Sequence, residues 1–334
     1  EHGFLEITTP ILTCSSPEGA RDYLVPSRNH PGKFYALPQA PQQFKQLLMT
    51  SGFDRYFQIA PCFRDEDAHA DRSPGEFYQL DMEMAFASQE DVFAVLEDVL
   101  PPVFEKFGTY KTASKAPFCR ISYKDAMEKY GTDKPDLRID LLVQDATECM
   151  ADCGFGPFEG NVVKAVVADG FKGTRKVIDK LCADVEVQSG NKAYWFKVDE
   201  NGSLTGGISK FLQERAETVK EALGLKPGDF VGVCAGKKQA AQKTAGVLRR
   251  YIGALAEGHM KTDCYEFCWI VDFPMYEIGE ESGELEFCHN PFSMPQGGMD
   301  ALNNQDPLSI NAYQYDLVCN GVELSSGAVR NHDP

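Results

Sequence analysis

The sequence predicts an α+β fold in which a sheet flanked by helices is interrupted by an inserted α+β domain. The first observation is that residues 1–118 alternate strand-like and helix-like segments. The second is that residues 139–262 are rich in Gly and Ala and carry helix-like stretches at Thr174–Val185, Lys210–Leu223 and Lys237–Ala256. The third is that strand-like sequence resumes near Cys264. We therefore expect a main domain in two pieces, 1–138 and 263–334, around an insertion at 139–262.

The elements of the main domain follow from local patterns. Lys33–Leu37 has the pattern of a short strand, and Pro41 begins a helix that runs to Gly52, since proline is favoured in a first turn. Two strands are predicted next, at Tyr56–Arg64 and Phe77–Phe86. Gln89–Phe107 is amphipathic, and we expect Pro101-Pro102 to interrupt its helix. A further strand of this domain is predicted at Phe267–Pro274.

Composition excludes several classes of protein. Among 334 residues, 33 are basic and 50 acidic, which gives a formal charge of −17 and argues against general coating of nucleic acid, although a local basic groove stays open. Apolar residues make up 43%, which excludes a disordered chain, and no apolar run is long enough to cross a membrane. The eleven cysteines include no CxxC pair, so we expect a reducing cytoplasm. The opening Glu1-His2-Gly3-Phe4 has no signal-peptide character and looks like a cut end.

One predicted strand pair places polar side chains on a single face. Strand side chains alternate between faces, so Phe77–Phe86 divides into an apolar, packed set and a polar set. The apolar set is Tyr78, Leu80, Met82, Met84 and Phe86, and the other is Phe77, Gln79, Asp81, Glu83 and Ala85. If the polar faces of the two strands match, Arg64 and Glu66 lie beside the second set over one site. The alternative is a solvated outer face.

A second polar group lies in the last predicted hairpin. Asn320-Gly321 between apolar runs is a strong signal for a two-residue turn, which would pair residue 319 with 322 and residue 318 with 323. Asp316 then shares a face with Glu323. Two such carboxylates can hold Mg²⁺, which prefers oxygen ligands. A surface hairpin decorated with charges is the alternative.

The helix that begins at Pro41 carries a third polar group. Gln42 and Lys45 are three residues apart and share a helix face. A cation beside an amide donor suits a carboxylate ligand. The alternative is a solvated helix face.

Several strings of residues resemble one known family. Phe63–Asp67 followed by Phe77–Glu83 is similar to motif 2 of the class II aminoacyl-tRNA synthetases. Ser16–Pro26 and Leu37–Lys45 resemble bacterial-type aspartyl enzymes of that class, and Leu324–Arg330 resembles their late glycine-rich segment. The resemblance covers nearly the whole chain. It implies a mixed, mostly antiparallel class II sheet flanked by helices, with an insertion like the extra domain of the bacterial enzymes.

The resemblance implies roles toward ATP and metal. Arg64 and Glu66 would be the catalytic residues: Arg64 would hold the α-phosphate of ATP, and Glu66 would contact adenine or the tRNA end. Phe77 would stack on adenine. Asp316 and Glu323 would hold Mg²⁺ on the phosphates, so that Glu323 also belongs to the ATP site.

It also implies roles toward the amino acid. Lys45 and Arg330 would clamp the side-chain carboxylate of aspartate, and His289 would add a contact near it. Two cations suit a carboxylate better than an amide. Glu18 would lie on a loop that closes over the amino acid. The residues expected to orient its main-chain groups are Gln42, Gln79 and Asp81.

The implied activity is that of a cytoplasmic aspartate–tRNA ligase. L-aspartate and ATP would form aspartyl-adenylate, and the aspartyl group would pass to the 3′ end of tRNA(Asp), with tRNA(Asn) left open as a second substrate. We expect a homodimer with no membrane association.

The chain departs from the family pattern in four respects. The final Gly-rich motif with its Arg, the anticodon-binding barrel and the start of motif 1 are not found in it, and position 69 is His where a basic residue is usual. We therefore expect a fragment with weak or no activity. The alternatives are an asparaginyl- or lysyl-type enzyme of the same class and a synthetase-like binding module without catalysis.

Overall fold

The computed structural model describes residues 2–15, 20–66, 75–279 and 282–332. It divides into two compact units, residues 1–95 and residues 96–334. This division leaves untested the predicted boundaries of the insertion at 139 and 262. Among the described residues, no helix has the length and apolar character to cross a membrane.

The first unit is built on a three-stranded sheet in the order β1-β4-β5. The short β1 pairs parallel with β4, and β4 pairs antiparallel with β5 along its whole length. A small hairpin, β2–β3, and one helix, α1, precede β4. The bounds are β1 Leu5–Glu6, β2 Leu24–Pro26, β3 Phe34–Ala36, α1 Gln42–Thr50, β4 Arg55–Phe63 and β5 Glu76–Met84. These positions confirm the predicted strands and helix to within one or two residues at each end.

The packing of this sheet differs from the prediction. The apolar set of β5 was expected to be packed, yet Tyr78 is 68% exposed and Leu80 is 50% exposed, as is Ile59 on β4 at 53%. Helix α1 instead covers the polar face, where Lys45 and Gln58 are buried. The ion pairs formed by Lys45 permit this arrangement, because a buried charge is tolerated when it is paired.

Helix α2 spans Gln89–Phe107 without a break. The expected interruption at Pro101-Pro102 is therefore wrong: both prolines lie inside the helix. Twelve residues of this helix precede the prolines and seven lie from Pro101 onward, so helical structure is already established before the missing N–H donors are met.

The middle of the second unit holds a five-stranded sheet in the order β11-β10-β12-β9-β8. Its strands are β8 Val143–Asp145, β9 Val162–Ala168, β10 Ala193–Val198, β11 Leu204–Thr205 and β12 Phe230–Gly236. Both faces are buried: Val166, Phe230 and Leu248 belong to one core cluster, and Phe196 and Val231 belong to the other. The sequence between Val143 and Gly236 thus forms a sheet of its own.

Helices cover this sheet. They are α4 Arg175–Ser189, α5 Ser209–Leu212, α6 Ala216–Leu223 and α7 Lys238–Leu255. The predicted helices at 174–185 and 237–256 are confirmed. The stretch predicted as a helix over 210–223 is instead two α-helices joined by a 3₁₀ turn at Gln213–Arg215.

A four-stranded sheet in the order β18-β17-β14-β7 forms the rest of the second unit's core. Helix α3 packs on it beside Ile121, Ile270 and Val318. The bounds are β7 Cys119–Ser122, α3 Tyr123–Tyr130, β14 Phe267–Pro274, β17 Asn311–Cys319 and β18 Val322–Ala328. The smaller elements are β6 Thr112–Ala113, β13 Cys264–Tyr265, β15 Tyr276–Ile278, β16 Leu285–Phe287 and α8 Gly298–Asn304.

The last hairpin has the predicted register. Cys319 pairs with Val322 and Val318 pairs with Glu323, around Asn320-Gly321. A bulge between Leu317 and Val318 then shifts the pairing, so that Asp316 lies opposite Ser326. Both residues of the turn have positive φ, 51° for Asn320 and 82° for Gly321, which explains why Asn and Gly occupy it.

Candidate functional site

The polar faces of β4 and β5 match as predicted. Gln58 pairs with Asp81, Ala60 with Gln79 and Cys62 with Phe77, which places these side chains on one side of the sheet. Gln79 accepts a hydrogen bond from the Cys62 thiol, with Sγ to Oε1 at 3.2 Å. Since Asp81 is only 11% exposed and Gln58 is buried, this face is not the solvated surface that was the alternative.

Lys45 lies at the centre of this face. Its Nζ is 2.8 Å from Asp81 Oδ1 and 2.8 Å from Glu83 Oε1, and its side chain is 9% exposed. Burial lowers the pKa of Lys45, but the charges of Glu83 and Asp81 outweigh burial, so the net shift is upward. Lys45 is therefore a buried ammonium shared by two carboxylates, and the solvated-face alternative for it is wrong.

The same face keeps an unused acceptor. Asp81 Oδ2 is buried and has no hydrogen-bond partner among the described residues. Tyr56 is fully buried, and burial followed by the charge of Asp81 raises its pKa. Gln42, half-buried in the first turn of α1, shares the helix face of Lys45. A ligand that brings an N–H donor would satisfy the second oxygen of Asp81.

Arg64 and Phe77 lie together at the loop end of the strand pair. The guanidinium carbon of Arg64 is 5.1 Å from the centroid of the Phe77 ring, which is cation–π distance. The Arg64 N–H donates to the carbonyl oxygen of Gly75 at 2.7 Å. Gly75 has φ +77°, and a Cβ there would lie 2.7 Å from both the Arg64 carbonyl oxygen and the Tyr23 hydroxyl. Only glycine fits this position, which holds Arg64 beside Phe77.

Glu66 is the last described residue before a gap in the description. It is exposed, and its N–H donates to the Arg64 carbonyl oxygen at 2.9 Å. Glu18 and His69 lie outside the described residues. The predicted role of Glu18 therefore stays a prediction.

The second unit holds the predicted carboxylate pair. Asp316 is 5% exposed, and its Oδ1 is buried without a hydrogen-bond partner among the described residues. Burial, followed by the charges of Glu323 and Asp133, raises the pKa of Asp316 to about 7. Glu323 forms an ion pair with Lys134, with Oε2 to Nζ at 2.8 Å. The bulged hairpin thus keeps Asp316 and Glu323 within electrostatic range, and the surface-hairpin alternative does not hold for Asp316.

These two carboxylates fit a hard cation. Two carboxylates, one with a buried oxygen that has no donor among the described residues, face the single ammonium of Lys134, so the site favours a further cation. The described residues contain no group of three or more His, Cys, Asp or Glu that could hold a metal ion by themselves. Asp316 and Glu323 would thus supply two oxygens, and phosphate oxygens would complete the coordination, as is usual for Mg²⁺.

Two more predicted residues lie elsewhere in the second unit. His289 is exposed with φ 49°, and its ring packs edge-on against Phe273, with centroids 5.1 Å apart. Arg330 is half-buried just after β18, and its backbone forms an isolated bridge with Ser293. The buried Ser293 hydroxyl has no hydrogen-bond partner among the described residues.

Two residues of these groups had no predicted role. Glu83 was placed on the polar face by its alternation with Asp81 along β5, but its ion pair with Lys45 was not predicted. Lys134 pairs with Glu323 from a turn 189 residues earlier in the chain, a contact for which the sequence carries no local signal.

Comparison with known proteins identifies the same family as the resemblance did. The family described as tRNA synthetases class II (D, K and N) matches residues 1–334. The chain is 58% identical over 339 residues to the aspartate–tRNA(Asp/Asn) ligase of Paramagnetospirillum magneticum, covering 99% of this chain and 38% of that protein. It is 58% identical to the aspartate–tRNA(Asp/Asn) ligase of Acidiphilium cryptum, covering 99% of this chain and 57% of that protein. It is 56% identical to the aspartate–tRNA ligase of Streptomyces coelicolor, also covering 99% of this chain and 57% of that protein.

The chain spans about half the length of the curated relatives it matches, between 38% and 57%.

Proposed function

This chain belongs to the class II tRNA synthetases of the D, K and N group, and from that membership we propose that it carries the catalytic part of an aspartate–tRNA ligase. The observation that carries the proposal is the buried Lys45, whose ammonium is shared by the carboxylates of Asp81 and Glu83 on the polar face of β4–β5. The relatives at 56–58% identity are named as aspartate enzymes, which favours aspartate over the asparagine and lysine alternatives.

Aspartate matches the charges of this face. In the free protein Lys45 and Asp81 neutralise each other at 2.8 Å. A bound aspartate would exchange these partners: its side-chain carboxylate would take the ammonium of Lys45, and its α-ammonium would donate to Asp81, whose Oδ2 has no partner among the described residues. Gln42 and Gln79 would donate to or accept from its main-chain groups. The assigned roles of Glu18, His289 and Arg330 toward aspartate stay predictions from the resemblance.

Asparagine would bind less tightly than aspartate on the same face. Its amide brings no negative charge to Lys45, so the ammonium would stay with Asp81 and Glu83 and leave the amide without a strong partner. A lysine substrate would be repelled by the Lys45 charge. Discrimination by an unmatched buried polar group is stronger than discrimination by shape alone.

ATP would be held by two groups of residues. Arg64 would hold the α-phosphate, since a guanidinium forms paired hydrogen bonds with phosphate oxygens, while Phe77 would stack on adenine. Glu66 would contact the adenine or the tRNA end. Asp316 and Glu323 would hold Mg²⁺, which neutralises phosphate charge when it is bound.

The reaction has two steps. An oxygen of the aspartate α-carboxylate attacks the α-phosphorus of ATP, the bond to the leaving pyrophosphate breaks, and aspartyl-adenylate forms. A terminal ribose hydroxyl of tRNA then attacks the activated carbonyl, loses its proton and releases AMP. Positioning and charge stabilisation by Arg64 suffice for the first step, so that no covalent nucleophile of the protein is required.

The partners follow from the same proposal. The RNA substrate is tRNA(Asp). Relatives at 58% identity are named for both tRNA(Asp) and tRNA(Asn), whereas one at 56% is named for aspartate and tRNA without that extension, so tRNA(Asn) remains a second candidate. A homodimer is supported by the exposed apolar face of β4–β5, where Ile59 pairs with Leu80.

Binding of non-hydrolysable adenylate analogues tests the proposal. The aspartyl analogue at about 100 times its Kd should stabilise the chain by about 2.7 kcal/mol, whereas the asparaginyl and lysyl analogues should not. Lys45→Met should abolish the selectivity for aspartyl, and Lys176→Met, an exposed lysine on α4, should leave it intact. Equal stabilisation by all three analogues, or stabilisation by none, would contradict the proposal.

A further inference from the structure

A basic cleft lies beside the hairpin that carries Glu323 of the predicted magnesium site. Three segments enclose it: helix α7, the turn over residues 131–136 and the Asn320-Gly321 turn of the last hairpin. Its volume is about 490 Å³, within the range of sites that bind small ligands or parts of larger ones. Nothing in the roles proposed above uses this cleft.

The charged side chains that line the cleft are mostly cationic, whereas the chain as a whole is acidic. Four of its lining side chains are cationic: Lys134, Lys243, Arg249 and Arg250. Its one acidic side chain, Asp136, already forms an ion pair with Arg138, with Oδ2 to Nη2 at 2.7 Å. In a chain of net charge −17, such a local excess of positive charge attracts anions into the cleft.

Three of these cations have no carboxylate partner within the described parts of the chain. Arg249 is 2% exposed and donates to the carbonyl oxygens of Leu141 and Ile139, both at 2.6 Å, but it is in no ion pair of those residues. Lys243 and Arg250 are exposed, lie two turns apart on α7 and are also in no such ion pair. Arg250 donates only to the Gln188 amide oxygen, at 2.6 Å. Two exposed cations that form no ion pair among the described residues, beside a buried guanidinium bonded to carbonyl oxygens, are suited to an anionic ligand.

The walls of the cleft are in close contact. A Cβ on Gly131 would lie 2.4 Å from the Gly246 nitrogen, and a Cβ on Gly246 would lie 2.5 Å from the Gly131 carbonyl oxygen. The two glycines let the turn after α3 approach the backbone of α7 directly. This contact holds the two backbones together, and the hydrogen bonds of Arg249 fix its guanidinium before any ligand binds.

We propose that this cleft binds phosphate groups of the RNA substrate backbone, a proposal that rests on the proposed function. Lys243 and Arg250 along α7, with Lys134 lining the same cleft, would contact more than one phosphate of a strand. Lys134 also pairs with Glu323, so an RNA strand in the cleft would run past the proposed magnesium carboxylates. Phosphate contacts of this kind position an RNA without reading its sequence. Free pyrophosphate has the same chemistry and is the other source of phosphate that could occupy the cleft.

Salt-dependent RNA binding tests this inference. A fluorescein-labelled tRNA(Asp) transcript is titrated with the full chain by anisotropy at several salt concentrations. Lys243→Ala/Arg250→Ala should weaken binding by about tenfold at 0.1 M salt and reduce the slope of log K against log salt by roughly 2, since each lost phosphate contact removes about one unit. A matched control, Lys176→Ala/Lys180→Ala on α4, makes the same change of charge in exposed side chains and should change neither quantity. Equal thermal unfolding midpoints of the two variants exclude misfolding.

The outcomes separate the cleft from the active site. Unchanged affinity and salt slope in the α7 variant overturn the inference. An equal loss in both variants also overturns it, because the effect is then that of general charge. Calorimetry with pyrophosphate alone distinguishes the other source: saturable binding that the α7 variant loses, with RNA binding intact, means that the cleft takes free phosphate and not RNA. Binding of the aspartyl-adenylate analogue should be the same in parent and variant, so failure of the proposed function would appear there, independently of the RNA titration.

Discussion

At the scale of single residues, Asp316 combines burial with neighbours of the same charge. Its pKa of about 7 lies above the ordinary value of 3.8, so the folded chain holds a proton that the unfolded chain releases between these values. The free energy of unfolding must therefore fall as pH rises through this window. The burial and the negative neighbours that disfavour the ionised form of Asp316 are also the features that would favour a cation bound beside it.

Asp316→Asn should remove this pH dependence. The amide keeps the shape and carries no charge, so the variant should be less sensitive to pH between 5 and 8 and more stable than the parent at pH 8 by a few kcal/mol, at ~1.4 kcal/mol per pKa unit. Urea unfolding at pH 5 and pH 8 measures the difference. Glu200→Gln, an exposed carboxylate in a turn, should follow the parent at both pH values. A parent whose stability does not fall between these pH values would refute the assignment.

Lys45 belongs to the opposite case, in which a buried cation is fully paired. Lys45→Met should leave Asp81 and Glu83 as uncompensated carboxylates and lower the free energy of unfolding at pH 7 by about 3 kcal/mol. Chemical denaturation at pH 7 measures the loss. Lys45→Met/Asp81→Asn/Glu83→Gln removes all three charges and should recover most of the stability; a triple variant no more stable than Lys45→Met would argue against the charge explanation.

Residue patterns predicted which side chains belong together, but not which face of the sheet is covered. Alternation along β5 placed Gln79, Asp81 and Glu83 on one side, and the register with β4 bears this out. The apolar pattern of β5 alone predicted that the face with Tyr78 and Leu80 is buried, and this prediction is wrong. The burial of Lys45 depends on α1 crossing the polar face, and that is a tertiary contact which no periodicity within β5 encodes.

At the scale of elements, the approach of α7 to the turn after α3 depends on two glycines. In an exposed helix Gly→Ala is usually stabilising by about 1 kcal/mol. Gly246→Ala should instead destabilise by about 2 kcal/mol, because its Cβ would lie 2.5 Å from the Gly131 carbonyl oxygen and backbone would have to move. Thermal or urea unfolding measures it. Gly236→Ala, whose Cβ would meet Ala240 at an ordinary 3.8 Å, is the control and should change stability little. A neutral or stabilising Gly246→Ala would show that the contact is not tight.

His259 joins three segments beside the five-stranded sheet. Its Nδ1 is 2.6 Å from Asp140 Oδ1 and its Nε2 is 2.5 Å from Asp169 Oδ1, so the imidazolium form donates to both carboxylates. Burial lowers the pKa of His259, but the hydrogen bonds and charges of the two carboxylates outweigh it and raise the pKa above its ordinary 6.5. The stability that His259 contributes is therefore complete below pH 6.5 and is lost as pH rises through the raised pKa.

His259→Gln should accordingly destabilise the chain at pH 6 and have little effect at pH 9. Unfolding midpoints of parent and variant at the two pH values test this. His30→Gln, an exposed histidine in a loop, should show no difference at either pH. A destabilisation of equal size at pH 6 and pH 9 would mean that His259 acts through packing and not through its charge.

Short-range signals predicted elements well where the turn chemistry is explicit. Asn320-Gly321 predicted both cross-strand pairs next to the turn. The bulge between Leu317 and Val318 was not predictable from the local sequence, because β17 pairs with β14 as well as with β18 and both pairings constrain it. The same limit applies to α2, whose two internal prolines do not end it.

At the scale of the whole molecule, sequence strings typical of one family predicted more residue roles than the periodicity of apolar residues did. The α+β class is visible in residue patterns alone, whereas the assignment of Arg64 to the phosphate of ATP and of Lys45 to the side chain of aspartate depended on recognising motif 2 and the Leu37–Lys45 string. The basic cleft escaped both approaches. Its cations come from Lys134 and from α7, more than 100 residues apart, and only the fold places them together.

The exposed apolar face of β4–β5 leads to the last prediction, which concerns assembly. Tyr78 is 68% exposed, Leu80 50% and Ile59 53%, and such a contiguous apolar face is typical of a protein interface. If a second copy covers it, the 37.0 kDa chain should sediment at about twice that mass, and Tyr78→Lys/Leu80→Lys should sediment as a monomer, because charges in an apolar interface oppose association. Val187→Lys changes an equally apolar side chain, 85% exposed on α4, and should leave the dimer intact. A parent that is monomeric at every concentration tested, or a dimer that survives both lysines, would place the self-association surface elsewhere or deny it.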